Sequence, residues 1–288
     1  MLKLLAIDLD GTLLNSYGDI SNENKEAIKY ALNKGVEVVL ASGRDPLTMQ
    51  KISRELGIEN YLIAGNGASV YDIKAQKNIY ENFIDTNKAL KIIKMCKENS
   101  IFFNLYTDKG IITESLNFNV KVFNSENNHK ASEKQTNIEI VKDIYEYAQN
   151  NPLNILKIII CDDSKIIFNN ISQKLKQIKG IEVLDVAHMS RKIIRVGTEE
   201  VEIEYYYTEV SSKDVDKWNA IEYLINILQI KKEEVMAIGD NINDKKMVQN
   251  SAVGVAMGKS ALAIQNIGDF ITDDNNSNGV EKAIYQYI

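Results

Sequence analysis

The chain has 288 residues, enough for about two domains at roughly 150 residues each. Its 44% hydrophobic and 26% charged residues are ordinary for a globular protein, and its net charge of −6 lacks the footprint of a general nucleic-acid binder. Two cysteines, Cys96 and Cys161, exclude a disulfide scaffold and a four-cysteine zinc site, and two prolines exclude a Pro-rich linker. The apolar start, Met1-Leu2-Lys3-Leu4-Leu5-Ala6-Ile7, meets Asp8 at once. No apolar run approaches the ~20 residues of a spanning helix. The expectation is a cytoplasmic protein with no membrane partner and no nucleic-acid partner. Oligomeric state is not legible.

Residues 4–9 read as a buried strand that ends in Asp-Gly-Thr. Ser21 is an N-cap candidate for a helix with Ala27, Ile28, Ala31 and Leu32 on one face, and Gly35 fits its C′ position. Residues 36–40 are the next strand, followed directly by Ser42-Gly43-Arg44. Pro46 suits the first turn of a second helix, with Ile52 and Leu56 four apart and Gly57 closing it. Residues 61–64 form a third strand that runs into Gly65-Asn66-Gly67-Ala68. This β-α-β-α-β order implies right-handed crossovers and a parallel sheet. Asp8, Asp10, Ser42 and Asn66 all fall at or just past the C-terminal ends of these strands. In open parallel sheets that edge binds ligands.

From about Asn82 the texture changes. Thr86 is a cap candidate for a helix through Ala89, Leu90, Ile93 and Cys96, and strands are expected at 101–106 and 111–113. Residues 119–137 are rich in Asn, Ser and Glu and read as a mobile loop. Then come a helix with Ile140, Ile144 and Tyr147, a strand at 155–161, and an amphipathic helix with Ile166, Ile167, Ile171 and Leu175. Strands at 181–186, 192–196 and 201–207 complete this stretch. The first pattern then resumes. Trp218, Ile221, Leu224, Ile225 and Leu228 recur at helical spacing, and residues 235–238 are a strand ending in Gly239-Asp240. A short strand at 253–257, a turn-rich loop at 273–279 and a helix at 280–287 follow. The expected fold is α/β: a doubly wound, mostly parallel Rossmann-like sheet built from residues 1–81 and 205–288. An α+β unit, residues 82–204, is inserted in it.

Asp8-Leu9-Asp10-Gly11-Thr12 is the strongest local signal. Two carboxylates two apart share a face of a strand and converge past its end. Crowded like charges are costly unless a cation neutralises them, and a hard divalent ion such as Mg²⁺ suits oxygen ligands. Gly11 permits a tight turn and close approach to an anion. The second signal is Gly239-Asp240-Asn241-Ile242-Asn243-Asp244, again after a strand. Alone it serves equally as a helix N-terminal box, where Asp and Asn are favoured, or as a metal site. Sharing a sheet edge with Asp8 adds weight to the metal. Ser42-Gly43-Arg44 offers a hydroxyl and amides at a strand-to-helix turn, suited to phosphate or to a plain turn. Lys217, among Asp214, Asp216 and Asn219, would by itself be a surface lysine.

Together, in this order, the motifs resemble the haloacid dehalogenase superfamily, and its Cof-type sugar-phosphatase branch more closely. Asn66-Gly67-Ala68, Gly254-Val255-Ala256-Met257-Gly258 and Asn278-Gly279-Val280 support the branch. The resemblance implies a HAD-like core with a cap domain between the Ser and Lys motifs, where the insert lies. It implies a Mg²⁺-dependent phosphatase acting on a small phosphorylated metabolite, such as a sugar phosphate. Asp8 would be the nucleophile forming an aspartyl-phosphate, and Asp10 the general acid and then base. Asp8, the Asp10 carbonyl and Asp240 would hold Mg²⁺. Ser42 and Lys217 would bind the phosphoryl group with help from Asn243. Asp244 would support the metal or Lys217. Gly11, Thr12, Gly43, Arg44 and Asn66 complete the expected phosphate and substrate contacts. The cap would close over the site and choose the leaving group.

Two positions depart from the branch pattern. Trp218 follows the motif lysine where Gly is usual, which puts a bulky ring under the cap or into the site and leaves Lys213 as a competitor. Lys259-Ser260 replaces the usual Asn-Ala after Met-Gly. His129 and His188 are isolated and read as surface or packing residues. Tyr205-Tyr206-Tyr207 reads as a strand with alternating faces in preference to an aromatic substrate wall. Gly65-Asn66-Gly67 lacks the third glycine of a dinucleotide loop. A phosphomutase using the same nucleophile, and a non-enzymatic phospho-acceptor like a receiver domain, are the rival functions.

Overall fold

The computed structural model describes residues 1–128, 135–184, 189–196 and 199–288. His129 and His188 lie outside the described residues. The chain divides into two compact units, Met1–Glu81 with Val215–Ile288, and Asn82–Asp214.

The first unit is built on an eight-stranded sheet in the order β15-β14-β13-β1-β2-β3-β4-β5. Its strands are β1 (Leu4–Ile7), β2 (Glu37–Ala41), β3 (Tyr61–Ala64), β4 (Ser69–Asp72), β5 (Lys77–Glu81), β13 (Val235–Gly239), β14 (Val253–Ala256) and β15 (Phe270–Ile271). β1 pairs in parallel with both β2 and β13. β3 pairs in parallel with β2, while β4 and β5 add an antiparallel edge. From β1 the chain builds outward first through β2 and β3, and later through β13 and β14. The strand order therefore reverses at β1, and the crevice past its C-terminal end is the topological switch point.

Both faces of this sheet are covered, so its strands read as continuous apolar runs. Leu5 and Ile7 point into one core with helices α1 (Asn22–Asn33), α2 (Pro46–Leu56) and α10 (Gly279–Tyr287). Leu4 and Ala6 point into the other, against α7 (Lys217–Leu228) and α8 (Lys245–Asn250). Each fully buried Leu or Ile stabilises the fold by about 1.5–3 kcal/mol. The helices start where capping dictates. Ser21 accepts from Asn24 N–H, Asp45 from Thr48 N–H ahead of Pro46, and Asp216 from Asn219 N–H. Sequence reading finds β1, β2, β3, β13 and β14 but not β4, β5 and β15. These are short or lack an apolar face.

The second unit is an antiparallel-rich sheet in the order β10-β12-β9-β6-β7-β8, with β11 paired to β12. The strands are β6 (Phe102–Thr107), β7 (Gly110–Thr113), β8 (Ile138–Ile140), β9 (Ile155–Asp162), β10 (Ile181–Val183), β11 (Ser190–Val196) and β12 (Glu199–Ser212). Helices α3 (Thr86–Glu98), α5 (Ile144–Asn150) and α6 (Lys165–Leu175) cover the face carrying Leu105, Ile158, Ile160 and Val210. The opposite face carries Ile159, Cys161 and Tyr205, with Phe118 packed on them.

Several expectations are corrected. The second unit boundary falls at 214/215 rather than 204/205. Residues 205–212 continue β12, and Tyr206–Ser211 pair with β9. Part of the expected 119–137 loop is helix α4 (Phe118–Asn127), which buries Val120 and Val122 despite the polar composition. Ile140 belongs to β8, and the next helix begins at Ile144 behind its Asp143 cap. Asp85, not Thr86, caps α3. Ile166 and Ile167 are exposed, and Phe168 packs in with Ile171 and Leu175. The tyrosine triplet alternates as a strand should: Tyr205 meets Tyr207 on one face, and Tyr206 stacks on Phe168 on the other. Among the described residues no helix is long and apolar enough to cross a membrane.

Candidate active site

Asp8 follows β1 directly and is buried. Its Oδ1 accepts from Lys217 Nζ at 2.5 Å, and the same ammonium donates to Asp244 Oδ1 at 2.6 Å. Lys217 is fully buried, at 0% exposure. The local reason is the α7 cap: Asp216 stops the chain in extended backbone and leaves Lys217 as the first helical residue, aimed at the sheet edge. Lys246 in turn donates to Asp216 at 2.6 Å.

The second acidic loop is folded on itself. Asp244 Oδ2 accepts from the N–H groups of Asp240 and Asn241, each at 3.0 Å. Thr12, fully buried, donates its hydroxyl to Asp240 Oδ1 at 3.0 Å. Thr12 was expected among the phosphate contacts. Its hydroxyl instead ties the first acidic loop to the second. Gly11 has φ +90°, and a Cβ there would collide with the Asp240 carboxylate. No other residue allows this approach without strain.

Asp10 lies more open, at 60% side-chain exposure, and Arg44 grips it bidentately. Nε donates to Oδ2 at 2.9 Å and an Nη to Oδ1 at 2.6 Å. Arg44, expected on phosphate, is thus placed on the second carboxylate of the first motif. Ser42 is buried, with its Oγ accepting from Arg44 N–H at 3.3 Å. Asn243 Nδ2 donates to Asn66 Oδ1 at 3.0 Å, and a Cβ at Gly43 would press on that same Asn66 side chain. Every residue of the expected site therefore gathers at one sheet edge. Lys213, the rival lysine, is exposed and belongs to the other compact unit.

The electrostatics follow from burial. Burial pushes the Asp8 carboxyl well above its ordinary range, with Lys217 pulling it back and the Asp244 and Asp240 charges adding to the rise. Asp240 is raised as well, by burial and then by Asp244, against the Thr12 hydrogen bond. Burial alone would lower the Lys217 ammonium, but Asp244 and Asp8 hold it protonated above its usual range.

A metal fits this donor set. Asp8, Asp240 and Asp244 bring carboxylate oxygens within 4.8 Å of one another. Three carboxylates against one buried ammonium leave two negative charges, which a hard divalent cation would balance. Both Asp244 oxygens already accept hydrogen bonds, which would leave Asp8 and Asp240 the better placed to hold such an ion.

Trp218 does not narrow the site. It is 6% exposed, packs into the core from the first turn of α7 and has Lys232 over its ring at 5.3 Å. Lys259 pairs with Asp274 at 2.5 Å, and Ser260 donates to the Met257 carbonyl at 2.7 Å, so both departures have local partners. Sequence reasoning missed Asp216 as the residue that sets Lys217. An Asp three residues before Asn219 at the start of an apolar helical pattern was the available signal.

Comparison with known proteins agrees with this geometry. A model of the haloacid dehalogenase-like hydrolases matches residues 5–284. The phosphatase YwpJ of Bacillus subtilis is 31% identical over 97% of both chains. The 5-amino-6-(5-phospho-D-ribitylamino)uracil phosphatase YcsE of the same organism is 27% identical, over 100% of this chain and 96% of its own. A solved haloacid dehalogenase-like hydrolase from B. subtilis superposes with a TM-score of 0.80 at 26% identity, covering both chains fully. With the match spanning nearly its whole length, the chain belongs to the haloacid dehalogenase-like hydrolases, as a phosphatase of their Cof-type branch.

Proposed function

We propose that the protein hydrolyses small phosphate monoesters of phosphorylated metabolites through a phosphoryl group carried on Asp8. The observation that carries this reading is the buried Lys217 ammonium between Asp8 and Asp244, with Asp240 beside them. The metabolite named in the YcsE relative is one small phosphate monoester of this class.

Phosphoryl transfer asks mostly for in-line positioning and charge neutralisation. Lys217 fixes the Asp8 carboxylate by one oxygen and opposes the rise that burial imposes on this nucleophile. In the first step an Asp8 oxygen bonds to phosphorus and the ester P–O bond breaks. Asp10 gives its proton to the leaving oxygen. In the second step water bonds to phosphorus, the Asp8–P bond breaks and Asp10 takes the water's proton. Inorganic phosphate leaves and both carboxyls are restored. Arg44, donating to both Asp10 oxygens, fixes where that carboxyl stands for these two proton transfers. Ser42, Lys217 and Asn243 hold the phosphoryl oxygens. Asp8, the Asp10 carbonyl and Asp240 would hold Mg²⁺, which supplies charge neutralisation between the Asp8 carboxylate and the anionic phosphate.

The test is Asp8→Asn assayed on p-nitrophenyl phosphate. Turnover should vanish while the circular dichroism spectrum is kept; unchanged turnover would overturn the nucleophile. Product analysis with a hexose monophosphate should give free phosphate, and an isomeric sugar phosphate would instead identify a mutase.

A further inference from the structure

We infer that Asn66 is a positioning residue, which sets the Asn243 side chain for the transferring phosphoryl group by bracing three motif loops at one turn. The inference rests on the proposed function, in which Asn243 contacts that group.

Asn66 sits between β3 and β4 with φ +60°, a left-handed backbone that a non-glycine residue rarely adopts without a reason. Its neighbourhood supplies one. Asn66 N–H donates to the Ser42 carbonyl at 2.9 Å, and Gly65 N–H donates to the Arg44 carbonyl at 3.0 Å. The turn thereby fixes both ends of the Ser42-Gly43-Arg44 loop. On its other side the Asn66 carboxamide accepts from Asn243 at 3.0 Å. The missing Cβ of Gly43 makes space for that carboxamide. One residue on, Gly67 has φ +100°, and a Cβ there would collide with the Asp216 carbonyl. The turn therefore also rests on the residue that caps α7 and presents Lys217.

Asn243 needs such a brace. It is exposed, on a one-turn 3-10 segment, Ile242–Asp244, and its loop is otherwise fixed through the Asp244 carboxylate. A side chain that must meet a phosphoryl oxygen gains rate from being held before the substrate arrives. Asn66 holds it.

A double-mutant cycle in kcat on p-nitrophenyl phosphate tests this. Asn66→Gly removes the side chain but keeps the left-handed backbone and the N–H to Ser42. In the native background it should lower kcat by about five- to tenfold, the worth of one positioning hydrogen bond. In an Asn243→Ala background the same change should cost less than about twofold, because the side chain it positions is gone. A general loosening of the fold would lower kcat equally in both backgrounds, and that result overturns the inference. So does full activity of Asn66→Gly alone. Loss of activity in Asp8→Asn, measured alongside, separates these outcomes. If that variant stays active the functional reading has failed; if it is dead and the cycle is additive, only the role of Asn66 has failed.

Discussion

Lys217→Met is the sharpest perturbation of this site, because it changes charge while keeping an unbranched chain of similar length. Lys217 is at 0% exposure and touches Asp8 at 2.5 Å and Asp244 at 2.6 Å. At an effective dielectric constant near 20, each pair attracts by ~6 kcal/mol gross. Burying three charged groups offsets much of that. Removing the cation alone leaves two carboxylates in place without compensation, and breaking such a pair costs about 3–5 kcal/mol. The expected loss of core stability is therefore ~3–5 kcal/mol in metal-free buffer. Urea unfolding in EDTA measures it, and the chain supplies its own probe. Trp218 is the one tryptophan, adjacent to Lys217 and buried in the first unit, so its emission reports that unit. Lowering the pH should relieve the deficit. Burial already raises Asp8 in the folded state, so the folded form takes up a proton more readily than the unfolded form. The penalty is full above the raised folded value and shrinks as pH falls toward the unfolded one. Lys213→Met, at an exposed position, should change stability by no more than ~0.5 kcal/mol. A Lys217→Met loss below ~1 kcal/mol, the range of a surface ion pair, would refute the reasoning.

Three other perturbations probe separate parts of the molecule. EDTA should stop p-nitrophenyl phosphate hydrolysis and Mg²⁺ should restore it; activity that persists in EDTA would contradict a metal role for Asp8 and Asp240. Gly11→Ala forces a side chain against the Asp240 carboxylate in a backbone with φ +90°. It should cost about 1–3 kcal/mol of stability and raise the Mg²⁺ concentration for half activity, so a variant with native metal dependence would dismiss the close approach. In the second unit Asp143 caps α5 through Glu146 N–H at 3.0 Å and accepts from Lys97 at 2.7 Å. Lys97 and that N–H hold its carboxyl below the usual 3.8, so its contribution is present above 3.8 and lost as pH falls through the lower folded value. Asp143→Ala should cost ~1 kcal/mol at pH 7 and progressively less in acid, by urea unfolding followed by circular dichroism. An equal cost at every pH would mean that the charge is idle.

How far the sequence reveals this protein depends on whether the deciding interaction is local. The parallel strands β1, β2, β3 and β13 are legible because burial on both faces demands unbroken apolar runs. Their ends are legible because Asp8, Ser42, Asn66 and Asp240 interrupt those runs with polar residues. Helix α4 is misread for the opposite reason. Its Asn- and Ser-rich sequence has weak intrinsic helicity, and tertiary burial of Val120 and Val122, with Phe118 packed on the sheet, holds it. Strand β12 hides the unit boundary because one 14-residue strand serves two pairings, its first half with β11 and its second with β9 and β10. Nothing in its alternation marks where one partner gives way to the next. The site divides along the same line. Both acidic motifs announce themselves locally, but the Lys217–Asp8 pair joins residues 209 apart and the Thr12–Asp240 bond residues 228 apart. No spacing rule reaches that far. Preferring Lys217 to Lys213 has a local warrant in the apolar helix that starts directly after it, and the Asp216 cap supplies the physical reason. A lysine placed first in an apolar helix by an Asp cap is carried into the structure with that helix, whereas one three residues before the cap is left outside. The cap thus decides which ammonium is desolvated, and desolvation is what gives that charge its leverage on Asp8.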